Sequence, residues 1–321
     1  MKQHVRKTVV SVTAIFALLV GMTGVCLHAA QREAKAPNQF AILWRYSEEK
    51  DTSDAIPLKI EDGTLYEYAA DDGTWAAIAL DDRASQVFSG ENLCVLLEDG
   101  SLVYDGLTEV PTDGENVPLM SAYNIMMSGK MLEYNEEERF LAVNQNLEYL
   151  DFRALLASGE LLCMDLDDCR RISVPEGKPA ALAGSFLLTE EGNVYYMYGD
   201  EKKLYDGGDI ASISASETAA RCTGLKENGE AVSFWLDVEA PDVSEWKNLA
   251  AVRQGFYFTV GLDLDGRVYY ADGDPAREAA VSEALRAWPN VTDIAVSCEM
   301  IVGLKADGEC VTLDVGEYQV K

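Results

Sequence analysis

Apolar residues recur at fixed distances on both sides of short turns along most of the chain. Each turn is a polar residue followed by a glycine, and these glycines are Gly63, Gly100, Gly129, Gly159, Gly192, Gly229, Gly266 and Gly308. Leucine or isoleucine stands four residues before seven of these glycines, and an apolar residue stands two residues after all eight. Asp-Gly and Asn-Gly between apolar residues favour type I′ turns, which need a positive φ. The pattern therefore predicts a series of β-hairpins, with Gly266 and Gly308 at positive φ.

The hairpins near the C-terminus belong to a longer repeat. Trp246 and Trp288 are separated by the same number of residues as Gly266 and Gly308. A repeat of roughly 20–50 residues indicates a repeat architecture, and residues 39–321 divide into seven units of about 40 residues, the size of a propeller blade. We therefore predict an all-β fold, a β-propeller of seven blades. A β-sandwich is the alternative, but it does not require the same residue types at the same offsets.

Two further elements are predicted at particular places in this repeat. We expect a strand around Phe40 to Tyr46 to pair with strands of the terminal blade and so close the ring, because closure leaves no free sheet edge. The last unit contains an insertion from Asp274 to Arg286. Asp274 is a suitable N-cap and Pro275 suits a first helical turn, so the insertion predicts a short helix.

One copy of the repeat carries a resemblance to a known family. It reads Val252-Arg-Gln-Gly255-Phe-Tyr-Phe-Thr259-Val-Gly261-Leu-Asp-Leu-Asp265-Gly266-Arg-Val268. This string resembles the repeat of the regulator of chromosome condensation; residues 291–310 and 210–231 are close copies, and residues 182–194 and 92–102 are partial copies. The resemblance implies a seven-bladed propeller that acts as a scaffold for other proteins. Where the family usually has a histidine before the threonine, this chain has Phe258, Met300 or Arg221.

The N-terminal segment has the pattern of an export signal. Lys2, Arg6 and Lys7 are followed by an uncharged and largely apolar run from Thr8 to Ala30. This order is typical of a signal peptide or membrane anchor whose N-terminus stays in the cytoplasm. We therefore expect residues 1–30 to be a signal or anchor helix, residues 31–38 a linker, and residues 39–321 an extracytoplasmic propeller that is secreted or anchored. The nuclear role of the founding member of the family does not fit an exported chain.

Charge and histidine content exclude several function classes. The formal net charge is −29, spread along the chain, which disfavours binding to nucleic acid or to anionic lipid. Any membrane contact is therefore expected only through the N-terminal segment. The two histidines, His4 and His28, both lie in that segment. The propeller region thus has no histidine for a Ser-His-Asp or Cys-His site or for His-ligated zinc, and we predict no cofactor and no metal site.

Carboxylate chemistry is not excluded by these counts. Glycoside hydrolysis needs only two correctly spaced carboxyl groups, and the chain has 55 acidic residues. An extracytoplasmic carbohydrate-active enzyme with paired carboxylates is therefore the alternative function.

The propeller region contains six cysteines: Cys94, Cys163, Cys169, Cys222, Cys298 and Cys310. An exported domain can oxidise its cysteines. Cys163 and Cys169 are the one pair close enough in sequence to bridge a short loop. Most of the others fall at core positions of the repeat, so the favoured interpretation is that the cysteines are buried free thiols, which behave as small apolar residues.

The variable positions of the repeat predict a binding surface. The residues eight to ten positions before the turn glycine differ between copies at 219–221, 256–258 and 298–300. Loops held by a rigid scaffold are free to vary and often carry function. Most of the residue types found there are used as anchors in interfaces, so the candidate binding residues are Phe256, Tyr257, Arg221, Glu299 and Met300. The alternative is that Phe256 and Phe258 fill the central channel. We predict a monomeric, non-catalytic propeller that binds a protein partner through loops on one face.

Overall fold

The computed structural model describes most of the predicted propeller region. The described residues are 39–47, 52–89, 93–100, 102–105, 140–146, 151–164, 169–174, 176–197, 202–216, 220–297 and 299–318. They all belong to one compact unit that extends from Asn38 to Lys321. The predicted signal or anchor, the linker and the turn at Gly129 lie outside the described residues. No helix within the described ranges is long and apolar enough to cross a membrane.

The described residues form seven antiparallel sheets, each made of strands that are consecutive in sequence. The first two sheets contain β1 (Phe40–Ser47), β2 (Thr52–Glu61), β3 (Thr64–Ala69) and β4 (Thr74–Ile78), then β5 (Ala84–Phe88), β6 (Leu93–Leu97) and β7 (Leu102–Asp105). The third and fourth contain β8 (Phe140–Asn146), β9 (Asp151–Leu156), β10 (Glu160–Met164) and β11 (Cys169–Ser173), then β12 (Pro179–Ala183), β13 (Phe186–Thr189), β14 (Val194–Tyr196) and β15 (Lys202–Tyr205). The last three contain β16 (Ile210–Ala215), β17 (Arg221–Lys226) and β18 (Ala231–Trp235), β19 (Leu249–Gln254), β20 (Phe258–Asp263) and β21 (Val268–Asp272), and β22 (Val291–Ser297), β23 (Met300–Lys305) and β24 (Cys310–Asp314).

These sheets follow one another around a closed ring. The first strand of a sheet lies at its edge and packs against neighbouring first strands: β1 contacts β5 and β22, β12 contacts β8 and β16, and β19 contacts β16 and β22. The second and third sheets meet through β6 and β8, where Phe140 N donates to Gly100 O at 3.1 Å. Because the seventh sheet meets the first, the predicted β-propeller is confirmed, with seven sheets in the described residues.

The turn glycines join each blade to the next as well as closing hairpins. Gly266 and Gly308 have φ angles of 80° and 87°, which confirms the predicted positive φ. In addition, the carbonyl oxygens of turn glycines accept hydrogen bonds from the next blade. The first residue of the following sheet donates its N–H to the turn glycine, from Ala84 to Gly63 at 2.8 Å and from Leu249 to Gly229 at 2.9 Å. A change at such a glycine therefore affects two blades.

The recurrence of tryptophan with a strand glycine also has a physical cause. A Cβ on Gly261 would lie 2.9 Å from the Trp246 ring, and a Cβ on Gly303 would lie 2.9 Å from the Trp288 ring. Real Cβ atoms do not approach other atoms so closely, because interiors are packed to van der Waals contact. The glycine thus provides the space for the indole, and the two residues recur together.

The expected pairing of the first strand with the terminal blade is wrong. β1 pairs with β2, with Phe40 opposite Lys59. Pairing with the next strand in sequence closes a much shorter loop and so costs less chain entropy. The first and seventh sheets are instead joined by side chains, and the buried residues of this contact are Phe40, Ile42, Ala295 and Val302. Burying a large apolar side chain contributes about 1.5–3 kcal/mol, against roughly 1 kcal/mol for a hydrogen bond, so packing supplies most of the closure.

The inserted segment forms the predicted helix, α1 (Pro275–Leu285). Asp274 is its N-cap, and the Asp274 carboxylate accepts a hydrogen bond from Ala276 N at 2.9 Å. Val281 and Leu285 are buried and belong to the apolar core formed with strands of the sixth and seventh sheets. A short 3₁₀ helix, Gly316–Tyr318, ends the described chain.

The cysteines do not form the bridge that sequence spacing suggested. Cys94, Cys163, Cys222 and Cys310 are not in disulfides, so the candidate Cys163–Cys169 bridge does not form. The favoured interpretation, buried thiols that act as small apolar residues, is confirmed for Cys94, Cys163 and Cys222. The register of β10 and β11 places Cys163 opposite Arg170, one residue away from Cys169. Burial raises the pKa of Cys94 and Cys222, and raises that of Cys310 to about 12. These three thiols are therefore protonated at neutral pH, in keeping with a packing role.

Candidate partner-binding surface

The strand ends define two faces of the propeller. In the sixth sheet, Leu249 at the start of β19 lies opposite Asp263, close to the turn at Gly266, and Gln254 lies opposite Thr259 at the far end. We call the side with the glycine turns the turn face. The opposite side, which carries residues 255–257 and 299, is the loop face. Phe40 lies opposite Lys59, beside the turn at Gly63, so the chain enters the propeller at the turn face.

Arg221 is the centre of a cluster at the loop face. It is the first residue of β17 and lies opposite Trp235 in β18. Its side chain is buried, and its Nε and Nη2 donate to the two carboxylate oxygens of Asp237 at 3.0 and 2.6 Å. Its Nη1 donates to the carbonyl oxygen of Phe256 on the neighbouring blade. The hydrogen bonds from Arg221 lower the pKa of Asp237, so the pair is ionised at neutral pH.

Three aromatic rings surround the same guanidinium group. Arg221 Cζ lies 4.8 Å from the ring centroid of Trp235, 5.0 Å from that of Tyr257 and 5.4 Å from that of Phe256. The Phe256 and Tyr257 rings meet edge to face, with centroids 4.1 Å apart. A cation within about 6 Å of an aromatic ring is attracted by the negative face of the ring. Because the Arg221 guanidinium contacts all three rings, it joins the fifth and sixth sheets and fixes the Phe256–Tyr257 loop.

A buried amide supports this loop from below. Gln254 Oε1 accepts hydrogen bonds from Thr223 Oγ1 at 2.7 Å and from Trp235 Nε1 at 3.1 Å. Its Nε2 donates to the carbonyl oxygens of Gly255 and Phe258, both at 2.9 Å. The loop from Gly255 to Phe258 is therefore fixed at both ends by one side chain. A polar network with its partners satisfied gives a single rigid arrangement.

Apolar side chains are exposed around the cluster. Tyr257 is 46% exposed, and Leu236 and Val238, on either side of Asp237, are 39% and 51% exposed. We call these three residues the loop-face patch. Leu236 N donates to Ala220 O at 3.0 Å, which fixes the patch to the strand that carries Arg221. Leu264, 51% exposed beside the turn at Gly266, provides a comparable apolar residue on the turn face.

Three of the five predicted binding residues lie together in this structure. Arg221, Phe256 and Tyr257 form one cluster, although Arg221 is buried and Tyr257 is the exposed member. Met300 begins β23 in the seventh sheet, and Glu299 lies in the connection before it. The Glu299 carbonyl accepts a hydrogen bond from Val315 N at 2.7 Å, and Met300 packs into the contact between the first and seventh sheets.

Sequence reasoning missed Trp235, Asp237 and Gln254. The hairpin register around Gly229 places Trp235 opposite Arg221, as the register around Gly266 places Asp272 opposite Phe258. Counting outwards from each turn glycine would have located Trp235, whereas the sequence has no comparable signal for Gln254. Phe258 is a core residue, 2% exposed and stacked on Tyr270 at 5.3 Å.

The buried carboxylates of the described residues have internal partners. Asp263 accepts hydrogen bonds from Asp265 N and Arg267 N, Asp272 is bound by Arg277 and Tyr270, and Asp293 lies 3.6 Å from Arg253. Every described carboxyl group with a shifted pKa has a lowered one. The general acid of a glycosidase needs a raised pKa, so these shifted groups do not supply one. Among the described residues, no group of three or more His, Cys, Asp or Glu is arranged to hold a metal ion.

Comparison with solved structures finds proteins that are similar to this chain. The CRINKLY WD40 ectodomain of the Arabidopsis thaliana receptor kinase ACR4 is similar, with a TM-score of 0.56 and 12% identity over 87% of this chain and 95% of that one. Human WBSCR16 gives a TM-score of 0.51 and 10% identity over 84% and 88%. Prp20p of Saccharomyces cerevisiae gives a TM-score of 0.45 and 14% identity over 71% of each chain. Comparison with protein families gives no match, and comparison with curated proteins gives none either. At these low identities, the similarity to the ACR4 ectodomain and to WBSCR16 supports the β-propeller fold only.

Proposed function

We propose that this chain, a β-propeller of repeats like those of the regulator of chromosome condensation, is an exported, non-catalytic protein that binds a protein partner through its loop face. The observation that carries the proposal is the position of Tyr257. Its ring is 46% exposed, while Arg221 and Gln254 fix the loop on which it stands. A tyrosine presented by a rigid loop is a typical anchor of protein interfaces.

Rigidity favours binding for an energetic reason. Ordering a flexible side chain at an interface costs about 0.5–1.5 kcal/mol, and this cost is absent where the free protein already holds the bound arrangement. Tyr257 is in contact with Phe256 and Arg221 before any partner arrives. The patch around it adds Leu236 and Val238, which are also exposed. Most other large apolar side chains of the described chain are buried, so the patch stands out from the remaining surface.

Export is supported by the N-terminal pattern and is compatible with the fold. Residues 1–30 combine a basic start with an uncharged apolar run. The chain enters the propeller at the turn face, beside Gly63. The similar propeller of ACR4 is itself an ectodomain.

The side-chain chemistry of the described residues supports the proposal that the protein is not an enzyme. Residues 39–321 contain no histidine. The buried carboxylates Asp263, Asp272 and Asp293 are engaged in internal hydrogen bonds or ion pairs. A paired-carboxylate enzyme would instead need one acid with a raised pKa in a cleft.

Site-specific photo-crosslinking tests the proposed binding face. A benzophenone amino acid is placed at Tyr257 in one variant and at Leu264 in the other, positions that are 46% and 51% exposed on opposite faces. We expect a discrete protein adduct from position 257 that excess unlabelled propeller suppresses, and no such adduct from position 264. Adducts only from position 264, or equal adducts from both positions, would contradict the proposal.

Export is tested separately with a fusion protein. Residues 1–38 are joined to an alkaline phosphatase that lacks its own signal and is active only outside the cytoplasm. We expect active phosphatase from the fusion and inactive enzyme when the apolar run is interrupted by Leu18→Arg and Leu19→Arg. Inactive phosphatase from the unaltered fusion would refute export.

A further inference from the structure

We infer that the partner segment bound at the loop-face patch combines basic with apolar side chains. This inference rests on the proposed function and adds the chemistry of the partner. It follows from the charges around Leu236, Val238 and Tyr257.

Two arginines at the loop-face ends of the fifth and sixth sheets are already neutralised. Arg221 is bound by both carboxylate oxygens of Asp237, at 3.0 and 2.6 Å. Arg277 is bound by both carboxylate oxygens of Asp272, at 2.7 and 2.8 Å. Bidentate pairs of this kind use the planar donor groups of the guanidinium. Neither arginine therefore offers a free positive charge to an acidic partner.

Exposed carboxylates remain on the same side of the propeller. Glu239 follows Val238 directly, Glu299 lies in the connection between β22 and β23, and Glu317 follows β24 at its loop-face end. Their side chains are exposed, and within the described ranges none of the three has an ion-pair partner. The patch therefore lies on a face of the propeller that carries exposed negative charges.

The net charge reinforces this local arrangement. The chain carries a formal charge of −29, so its surface repels nucleic acid and disfavours a second copy of itself at this face. Complementary potentials speed association and exclude like-charged partners. An exposed apolar patch on an acidic face is complementary to a protein segment that presents leucine or aromatic side chains between lysines or arginines. We therefore assign that class of segment to the patch.

Three synthetic peptides of equal length test this assignment. One alternates lysine with leucine, the second alternates lysine with serine, and the third alternates glutamate with leucine; each carries the same fluorophore for anisotropy titration of the whole propeller. We expect the Lys/Leu peptide to bind most tightly and to lose at least about fivefold in affinity between 50 and 300 mM salt. Equal binding of the Lys/Ser peptide, or tighter binding of the Glu/Leu peptide, would overturn the inference.

Matched variants separate binding at the patch from general attraction to an acidic protein. Tyr257→Ala should weaken the Lys/Leu peptide at least about tenfold, whereas Leu264→Ala on the turn face should change its affinity less than about twofold. Glu239→Gln with Glu299→Gln should weaken it by about three- to tenfold and reduce the salt dependence. The control for the charge change is Glu227→Gln with Asp265→Asn, two exposed acids on the turn face. Equal losses in the test and control variants would show nonspecific attraction and overturn the inference.

The cross-linked partner distinguishes this inference from the proposed function. The two hypotheses are refuted by different results. If a partner is captured from position 257 but its affinity does not change with salt or with the Glu239/Glu299 variant, the proposed function stands and the inferred basic segment is refuted. Failure to capture any partner, together with peptide binding that Tyr257→Ala does not weaken, refutes both.

Discussion

Trp75 and Gly308 are 233 residues apart in sequence, and the indole Nε1 of Trp75 donates to the carbonyl oxygen of Gly308 at 2.8 Å. At earlier blade contacts the turn glycine accepts a backbone N–H from the next sheet, as Gly229 does from Leu249. The tryptophan side chain takes the place of that backbone donor where the seventh sheet meets the first. The ring is thus closed without exchange of a strand.

Trp75→Phe should lower the free energy of unfolding by about 1–2 kcal/mol, because the half-buried carbonyl of Gly308 loses its donor. The phenyl ring retains the contact with Tyr68 and the position below Lys59. Urea denaturation measures the change. Benzothienylalanine at position 75 keeps the size of the indole but lacks its N–H, and it should show most of the same loss. Full stability with this analogue would mean that the hydrogen bond contributes nothing.

Gly266→Ala should be more destabilising than Gly308→Ala. Both glycines have positive φ, which costs an L-residue of order 1–2 kcal/mol. A Cβ at Gly266 would also lie 2.8 Å from Val291 O on the next sheet, whereas one at Gly308 meets nothing within 4 Å. We expect a loss of about 1–2 kcal/mol for Gly308→Ala and at least about 1 kcal/mol more for Gly266→Ala. Equal losses in urea would argue against the contact between turn and blade.

The local parts of the fold could be predicted because their causes are local. Positive φ at Gly266, the cap at Asp274 and the alternation of buried residues each depend on a few neighbouring residues. The strand pairing expected to close the ring was predicted wrongly, and the candidate bridge between Cys163 and Cys169 does not form, because each depends on register. The pairing of Phe40 with Lys59 and of Cys163 with Arg170 is decided by strands whose alignment no single residue reveals.

The candidate surface could be predicted only in part, because only some of its residues stand at repeat positions. Phe256 and Tyr257 stand out because they vary at a fixed offset from a turn glycine. Arg221 was predicted as a contact residue, but it is buried against Asp237, which lies beyond the end of the partner strand. Gln254 makes contacts across two blades, and a side chain of this kind leaves no periodic signal.

Asp272→Asn should cause a loss of stability that depends on pH. Burial raises the pKa of Asp272, but hydrogen bonds from Arg277 and Tyr270 outweigh it, and the pKa in the folded protein is lowered. The unfolded value is about 3.9, so this carboxylate stabilises the fold fully above that pH and ceases to do so as pH falls through the lower folded value. We expect wild type to exceed the variant by on the order of 2–3 kcal/mol at pH 7, and the difference to shrink below about pH 4.

Urea unfolding of both proteins between pH 3 and pH 7 measures this difference. Asp265→Asn removes an exposed carboxylate from a turn and is the control for the loss of one charge. A difference that stays constant or grows towards acid pH would contradict the assigned ion pair.

Arg221→Lys should loosen the loop that carries Tyr257 while leaving the fold intact. Lysine keeps the positive charge but cannot form the two parallel hydrogen bonds to Asp237 or stack its planar group on Trp235. The Gly255 amide, which donates to Phe258 O at 2.9 Å, reports on opening of this loop. We expect roughly tenfold faster hydrogen exchange there, equivalent to about 1–2 kcal/mol of lost local stability, and unchanged exchange in β22 and β23. Arg267→Lys, at an exposed position beside the turn at Gly266, is the matched control. If the Gly255 amide exchanged at the wild-type rate in Arg221→Lys, the rigidity of the loop would come from Gln254 alone, and the role assigned to Arg221 would be wrong.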